Sequence, residues 1–148
     1  MTSTDTSDRE IVTARMIAAP RERVFQAWAD ATQLAQWWGP DGFTNTFDEF
    51  AFCPGGEWRF TMHGPDGGNY VNHSVFVEIT PPERIVMDHI SAPQFRVIAT
   101  FDDVGGKTLF TFRGIFPTVA EYDKVKGFAI AGNQQTCDRL VKLVEHQA

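Results

Sequence analysis

Thr118-Val-Ala-Glu-Tyr-Asp-Lys-Val-Lys-Gly-Phe-Ala-Ile-Ala-Gly-Asn-Gln-Gln-Thr-Cys-Asp-Arg-Leu-Val-Lys-Leu-Val-Glu-His146 settles the architecture of this chain. Pro117 precedes it, and Thr118-Val-Ala-Glu121 has the form of a capping box, in which side chains satisfy orphan N–H groups of a first helical turn. An apolar stripe then runs through Tyr122, Val125, Ala129, Gly132, Thr136, Leu140 and Leu143. Spacings of three and four keep these residues on one face, so the pattern predicts a helix over residues 118–146. At ~1.5 Å per residue it would be about 40 Å long. A helix of that length with one apolar face needs a large partner to bury it against.

The preceding residues supply that partner. From residue 43 to 116 the period changes from helical to alternating. Strands are expected at Thr44–Phe50, Glu57–His63, Tyr70–Thr80, Arg84–Ile90, Phe95–Asp103 and Lys107–Phe116. Turn chemistry separates nearly all of them: Pro54-Gly-Gly56, Gly64-Pro-Asp-Gly-Gly68, Pro81-Pro82 and Gly105-Gly106. Short connections between consecutive strands imply an antiparallel meander. Earlier still, residues 9–18 read as a first strand and Pro20 as a first helical position. A short helix follows with Val24, Phe25, Ala27 and Trp28 on one side. A second starts at the capping box Asp30-Ala-Thr-Gln33 and ends at Trp37-Trp38-Gly39-Pro40, where Gly and Pro stop it. The expected fold is α+β in the order β-α-α-β6-α: a curved seven-stranded antiparallel sheet, two short helices and a long C-terminal helix across the sheet. One domain over residues 9–147 follows, preceded by a short solvated tail at residues 1–8.

Composition narrows the function classes. The formal net charge of −6 and the absence of a Lys/Arg cluster argue against nucleic acid and against anionic lipid. No apolar run approaches the ~20 residues a bilayer span requires, and the first residues lack the features of a secretory signal, so a cytoplasmic location is expected. Cys53 and Cys137 lie far apart outside any CxxC pattern and are expected as free thiols. The four histidines, at 63, 73, 89 and 146, fall on separate elements without a metal-binding spacing, and no nucleotide loop or GxSxG elbow occurs. Neither metal nor cofactor is expected. Thirteen Phe and four Trp are many for 148 residues, and large rings either fill a core or line a pocket.

Five segments in order carry a family likeness: Ala19-Pro20-x-x-x-Val24-Phe25-x-Ala27-Trp28, Trp37-Trp38-Gly39-Pro40, Pro54-Gly55-Gly56-x-Trp58-x-Phe60, Pro81-Pro82-Glu83-Arg84-Ile85-Val86, and Gly132-x-x-Gln135-Thr136-x-x-x-Leu140. In these the chain resembles the helix-grip fold of the START-like (SRPBCC) superfamily. Within it, the chain looks like the family named after the activator of heat-shock-protein-90 ATPase. The resemblance implies a cavity between sheet and long helix, with an apolar or aromatic small molecule as guest. A cofactor-independent cyclase, isomerase or hydrolase and a cochaperone-like interaction module with a chaperone partner are the alternatives it leaves open. A weak homodimer through the aromatic-rich edge Phe47–Phe52 is a further expectation.

The candidate ligand-binding residues are Trp38, Trp58, Phe60, His73, Val75, His89, Tyr122 and Lys126. Uninterrupted alternation places Val71, His73, Val75, Val77 and Ile79 on one face, with His73 as the polar exception. The next strand aligns Ile85, Met87 and His89. Pairing Ile79 with Ile85 sets His89 near Val75 and makes His73 and His89 diagonal neighbours within ~7–8 Å. Trp58 and Phe60 alternate inward on their strand. Trp38 belongs to the connection that forms the mouth of such cavities in the superfamily, and helix phase puts Tyr122 on the sheet side with Lys126 at the boundary. Core packing competes with pocket lining as the explanation for the aromatic set.

Overall fold

The computed structural model describes residues 6–146. Residues 1–5, most of the expected tail, and Gln147, the last residue of the expected domain, lie outside them. A 3₁₀ turn, Ser7–Arg9, leads into β1 (Glu10–Ile17), α1 (Arg21–Ala29) and α2 (Ala31–Trp37). Then come β2 (Thr44–Phe50), β3 (Glu57–His63), β4 (Asn69–Thr80), β5 (Arg84–His89), β6 (Phe95–Val104), β7 (Lys107–Ile115) and α3 (Val119–Glu145). The strands form one antiparallel sheet in the order β1-β7-β6-β5-β4-β3-β2. The first strand joins beside the last because α1 and α2 carry the chain across the sheet before the meander begins.

Local chemistry explains the element ends. Thr118 Oγ1 accepts from the Glu121 N–H at 3.1 Å and starts α3. Asp30 caps α2 by accepting from the Thr32 N–H at 3.0 Å, while the Gln33 amide donates to the same carboxylate at 3.2 Å. Pro20 is extended (φ −68°, ψ 150°) and stands one residue before the first helical position expected for it. No helix among the described residues is long and apolar enough to cross a membrane.

The core lies between the inner face of the sheet and all three helices. Trp28, Trp37, Trp38 and Trp58 form a chain of edge-to-face rings with centroids 5.2 to 5.6 Å apart along α1 and α2 and 5.0 Å from Trp38 to Trp58. From α3, Cys137, Leu140 and Val144 are fully buried against this cluster. Phe47, Phe50 and Phe52, on and beyond edge strand β2, pack toward the same cluster. The first half of α3 packs differently: between Val119 and Ala131 only Val125 is buried.

Two bulges interrupt the ladder. In β2 the register shifts between Phe47 and Glu49, and in β4 between Phe76 and Glu78. The β4 bulge gives one extra residue, Val77, so side chains before it point to the face opposite from that set by Ile79. Ile79 does pair with Ile85, but Ser74, not Val75, stands opposite His89. Asn72, Ser74 and Phe76 therefore face inward, whereas Val71 (80 % exposed) and Val77 (42 %) face solvent.

Candidate functional site

Between the open half of α3 and the sheet lies a cavity of about 240 Å³. Phe95, Phe112, Gly114 and Phe116 form its sheet wall, with Met62 on a further strand. The α3 wall comprises Val125, Phe128, Ala129, Gly132, Asn133 and Thr136, and the α2–β2 connection closes one side with Trp38, Gly39 and Pro40. Phe128 is 68 % exposed and marks the rim.

Two glycines shape this space. Gly114 sits on the inner face of β7, and a Cβ added there would meet nothing within 4 Å. A glycine inside a strand weakens it, and here the missing side chain leaves volume between Phe112 and Phe116. On α3, a Cβ at Gly132 would stand 3.4 Å from Pro40 Cγ, so the small residue lets the connection lie close to the helix.

The connection itself is held by α3. Arg139 Nη1 donates to the carbonyls of Gly39 (2.7 Å) and Pro40 (2.9 Å), and Nη2 to those of Gln36 (2.8 Å) and Phe43 (3.0 Å). These include carbonyls that the end of α2 leaves without helical partners, and a cation is well matched to them. Gln135 Oε1 accepts from the Asp41 N–H at 3.1 Å. Burial lowers the Arg139 pKa from its ordinary value.

One end of the cavity is polar. His89 is 6 % exposed, and its ring stacks on Phe95 with centroids 4.7 Å apart. Its Nδ1 faces the Pro93 carbonyl oxygen at 2.9 Å and its Nε2 faces Asn72 Oδ1 at 2.7 Å, with Ser91 Oγ at 3.4 Å. Desolvation lowers the His89 pKa below its ordinary 6.5, against the raising effect of the Pro93 and Ser91 contacts. Next to His89 in the ladder, Ser74 is fully buried, as is Trp58 across from it. Neither the Ser74 hydroxyl nor the Trp58 indole N–H has a hydrogen-bond partner among the described residues.

The sequence-nominated residues separate into five placements. Trp38 and His89 line the cavity. Trp58 and Phe60 are on the inner face as expected, but they stack on each other at 4.2 Å and fill the core beyond the cavity. His73 and Val75 are on the outer face, because the bulge at Val77 inverts the alternation from which they were placed. His73 Nε2 contacts Glu57 Oε1 at 2.7 Å, which helps hold the Glu57 pKa low. The expected pairing of His73 with His89 on one wall does not occur. Tyr122 packs against the cluster of Ile11, Phe116 and Val125, its ring 6.0 Å from that of Phe116, and does not line the cavity. Lys126 is directed away, paired with Asp123 at 3.0 Å and 5.5 Å from the Tyr122 ring centroid.

Sequence reading missed Asn72, Gly114, Asn133 and Arg139. Gly114 had a usable signal, an interior glycine flanked by Phe112 and Phe116 at inward positions. Asn72 was hidden by the bulge, and Arg139 by a face of α3 that looks like ordinary solvated surface.

The model for "Activator of Hsp90 ATPase homolog 1-like protein" matches residues 18–145. No curated protein matches the chain. Among solved structures, a protein from Arthrobacter aurescens is 20% identical with a TM-score of 0.88, covering 99% of this chain and 91% of its own. One from Chromobacterium violaceum is 24% identical with a TM-score of 0.84, covering 93% and 99%. An AHSA1-like protein from Aeromonas hydrophila is 18% identical with a TM-score of 0.74, covering 94% and 97%. At such identities these structures speak for the fold alone. The order of elements, the sheet under a long helix and the family match over residues 18–145 agree: this chain belongs to the family of Activator of Hsp90 ATPase homolog 1-like proteins.

Proposed function

We propose that this protein binds a small apolar or aromatic molecule in the cavity between the sheet and the first half of α3. The observation that supports this reading most is the space itself: about 240 Å³, walled by aromatic and aliphatic side chains, with a polar end at His89 and Asn72. Few polar groups in an otherwise apolar concavity are the usual make-up of a small-molecule site. A dry apolar cavity of ~150 Å³ accepts benzene, so this one suits one or two fused rings. The helix-grip fold commonly binds hydrophobic ligands, which agrees with this use of the cavity. A cofactor-independent enzyme working through two pocket histidines is disfavoured, because His73 is on the outer face.

Gly114→Leu tests the reading directly. The new side chain enters open space on the inner face, so the fold is retained while the cavity is filled. Titrated with the neutral dye N-phenyl-1-naphthylamine, the parent should show saturable fluorescence enhancement and Gly114→Leu should not, at unchanged circular dichroism. Equal dye binding by both proteins, or none by the parent, would reject the site.

A further inference from the structure

The polar end of the cavity has an incomplete charge balance. Pro93 O is an acceptor only, so Nδ1 of His89 must carry its proton to use that 2.9 Å contact. The Asn72 amide is oriented by its own Nδ2, which donates to the Tyr70 carbonyl at 2.9 Å; Oδ1 is therefore the atom turned to His89 Nε2 at 2.7 Å. Turning the amide over would set Oδ1 against the Tyr70 oxygen. Both ring nitrogens thus face fixed oxygen acceptors at short distance, with the Ser91 hydroxyl further off at 3.4 Å from Nε2, and the two short contacts are both made only when both nitrogens are protonated. In a neutral ring, one nitrogen lone pair is pressed against an oxygen.

Among the described residues the charged ring has no counterion in the cavity: no Asp, Glu, Lys or Arg of theirs lines it. From α3 the residues facing the site are uncharged. On β5 and β6, Asp88 and Arg96 pair with each other at 2.7 Å, and on β4 and β3, His73 pairs with Glu57 on the outer face. Arg9, which donates to Phe116 O, lies beyond the Phe116 wall in a separate surface depression that also contains Asp88, Arg96 and His89. His73 and Arg9 add no negative charge. Burial therefore prevails in the empty protein and keeps His89 below its ordinary pKa.

We propose that the guest is a compact aromatic carboxylate whose anion supplies the missing counterion, so that binding takes up one proton from solvent onto His89. This rests on the cavity reading above and names the head group that the cavity selects. The aromatic body occupies the space among Phe95, Phe112, Phe116 and Val125, and the carboxylate stands at the His89 end. With both N–H groups held by Pro93 O and Asn72 Oδ1, the carboxylate stands against the charged ring as its counterion and offsets part of the cost of burying that charge.

Calorimetric titration with 2-naphthoate and its neutral isostere 2-naphthamide, each in two buffers of different ionisation heat, tests the proposal. At pH 6 naphthoate should bind at least about tenfold more tightly than naphthamide, with close to one proton taken up. Its affinity should fall by about tenfold per pH unit as pH rises from the His89 pKa of the free protein to that of the complex, and level off above the latter. The ¹⁵N shifts of His89 should move to imidazolium values on adding naphthoate and stay put on adding naphthamide. Asn72→Asp builds a counterion into the wall, so naphthoate should lose its advantage; His89→Gln should remove the proton uptake. Equal binding of the two compounds without proton uptake would overturn the head-group assignment and leave the cavity standing. If neither compound binds, the cavity reading fails and this one with it. Should His89→Gln fail to fold, the parent's proton count and Asn72→Asp decide the question.

Discussion

Arg139→Met should loosen the wall of the cavity without touching its lining. In the parent, the guanidinium donates to four backbone carbonyls at 2.7 to 3.0 Å, from Gln36, Gly39, Pro40 and Phe43. A fifth contact, to Trp38 O, is long at 3.4 Å and counts for little. Methionine keeps most of the aliphatic packing and removes every donor. Charge-assisted hydrogen bonds contribute ~1.5–3 kcal/mol each when buried, but Arg139 is only half-buried and water can reach several of these oxygens. Discounting for that, the loss should be about 2–4 kcal/mol, or a fall in Tm of about 5–12 °C for a chain of this size. Arg139→Lys keeps the charge yet lacks the planar fork that spans two pairs of carbonyls, so its loss should be intermediate. Thermal unfolding followed by circular dichroism reads both variants, and dye titration of Arg139→Met should show weakened binding as Gly39 and Pro40 lose their anchor. A Tm for Arg139→Met within about 2 °C of the parent would refute the clamp.

Two other outcomes follow from the titrating groups. The folded-state pKa of His89 is lowered, so the folded protein binds fewer protons than the unfolded chain. Stability from His89 is fully present well above pH 6.5 and is lost as pH falls through 6.5 toward the lowered folded value, at up to ~1.4 kcal/mol per pH unit. Urea titrations of the parent and His89→Gln from pH 7.5 to 5 should show a steeper acid-side fall in the parent, and parallel curves would contradict it. Cys53 is exposed, whereas burial pushes the Cys137 thiol up to about 12, so a thiol reagent at pH 8 should modify Cys53 rapidly and Cys137 only on unfolding. Rapid reaction of Cys137 in the folded Cys53→Ser variant, or of both thiols in the folded parent, would place Cys137 at the surface.

The long helix, the meander and their order were legible because each depends on neighbours in sequence. Thr118 and Glu121 specify a helix start among themselves, and Gly105-Gly106 specifies a hairpin between Val104 and Lys107. Alternation likewise identified Trp58 and Phe60 as inward. It failed in β4, where Val71, Val75 and Val77 resemble a core face while facing outward. Nothing local marks the extra residue at Val77. The bulge appears only in the pairing of this long strand with β5, and that pairing reveals which face Asn72 and His73 occupy. The same holds for Arg139, whose partners are about a hundred residues away in sequence. Helix and turn chemistry are short-range and determined by the sequence itself, whereas the cavity, its polar end at His89 and the clamp on its wall come from contacts that form only when distant segments meet.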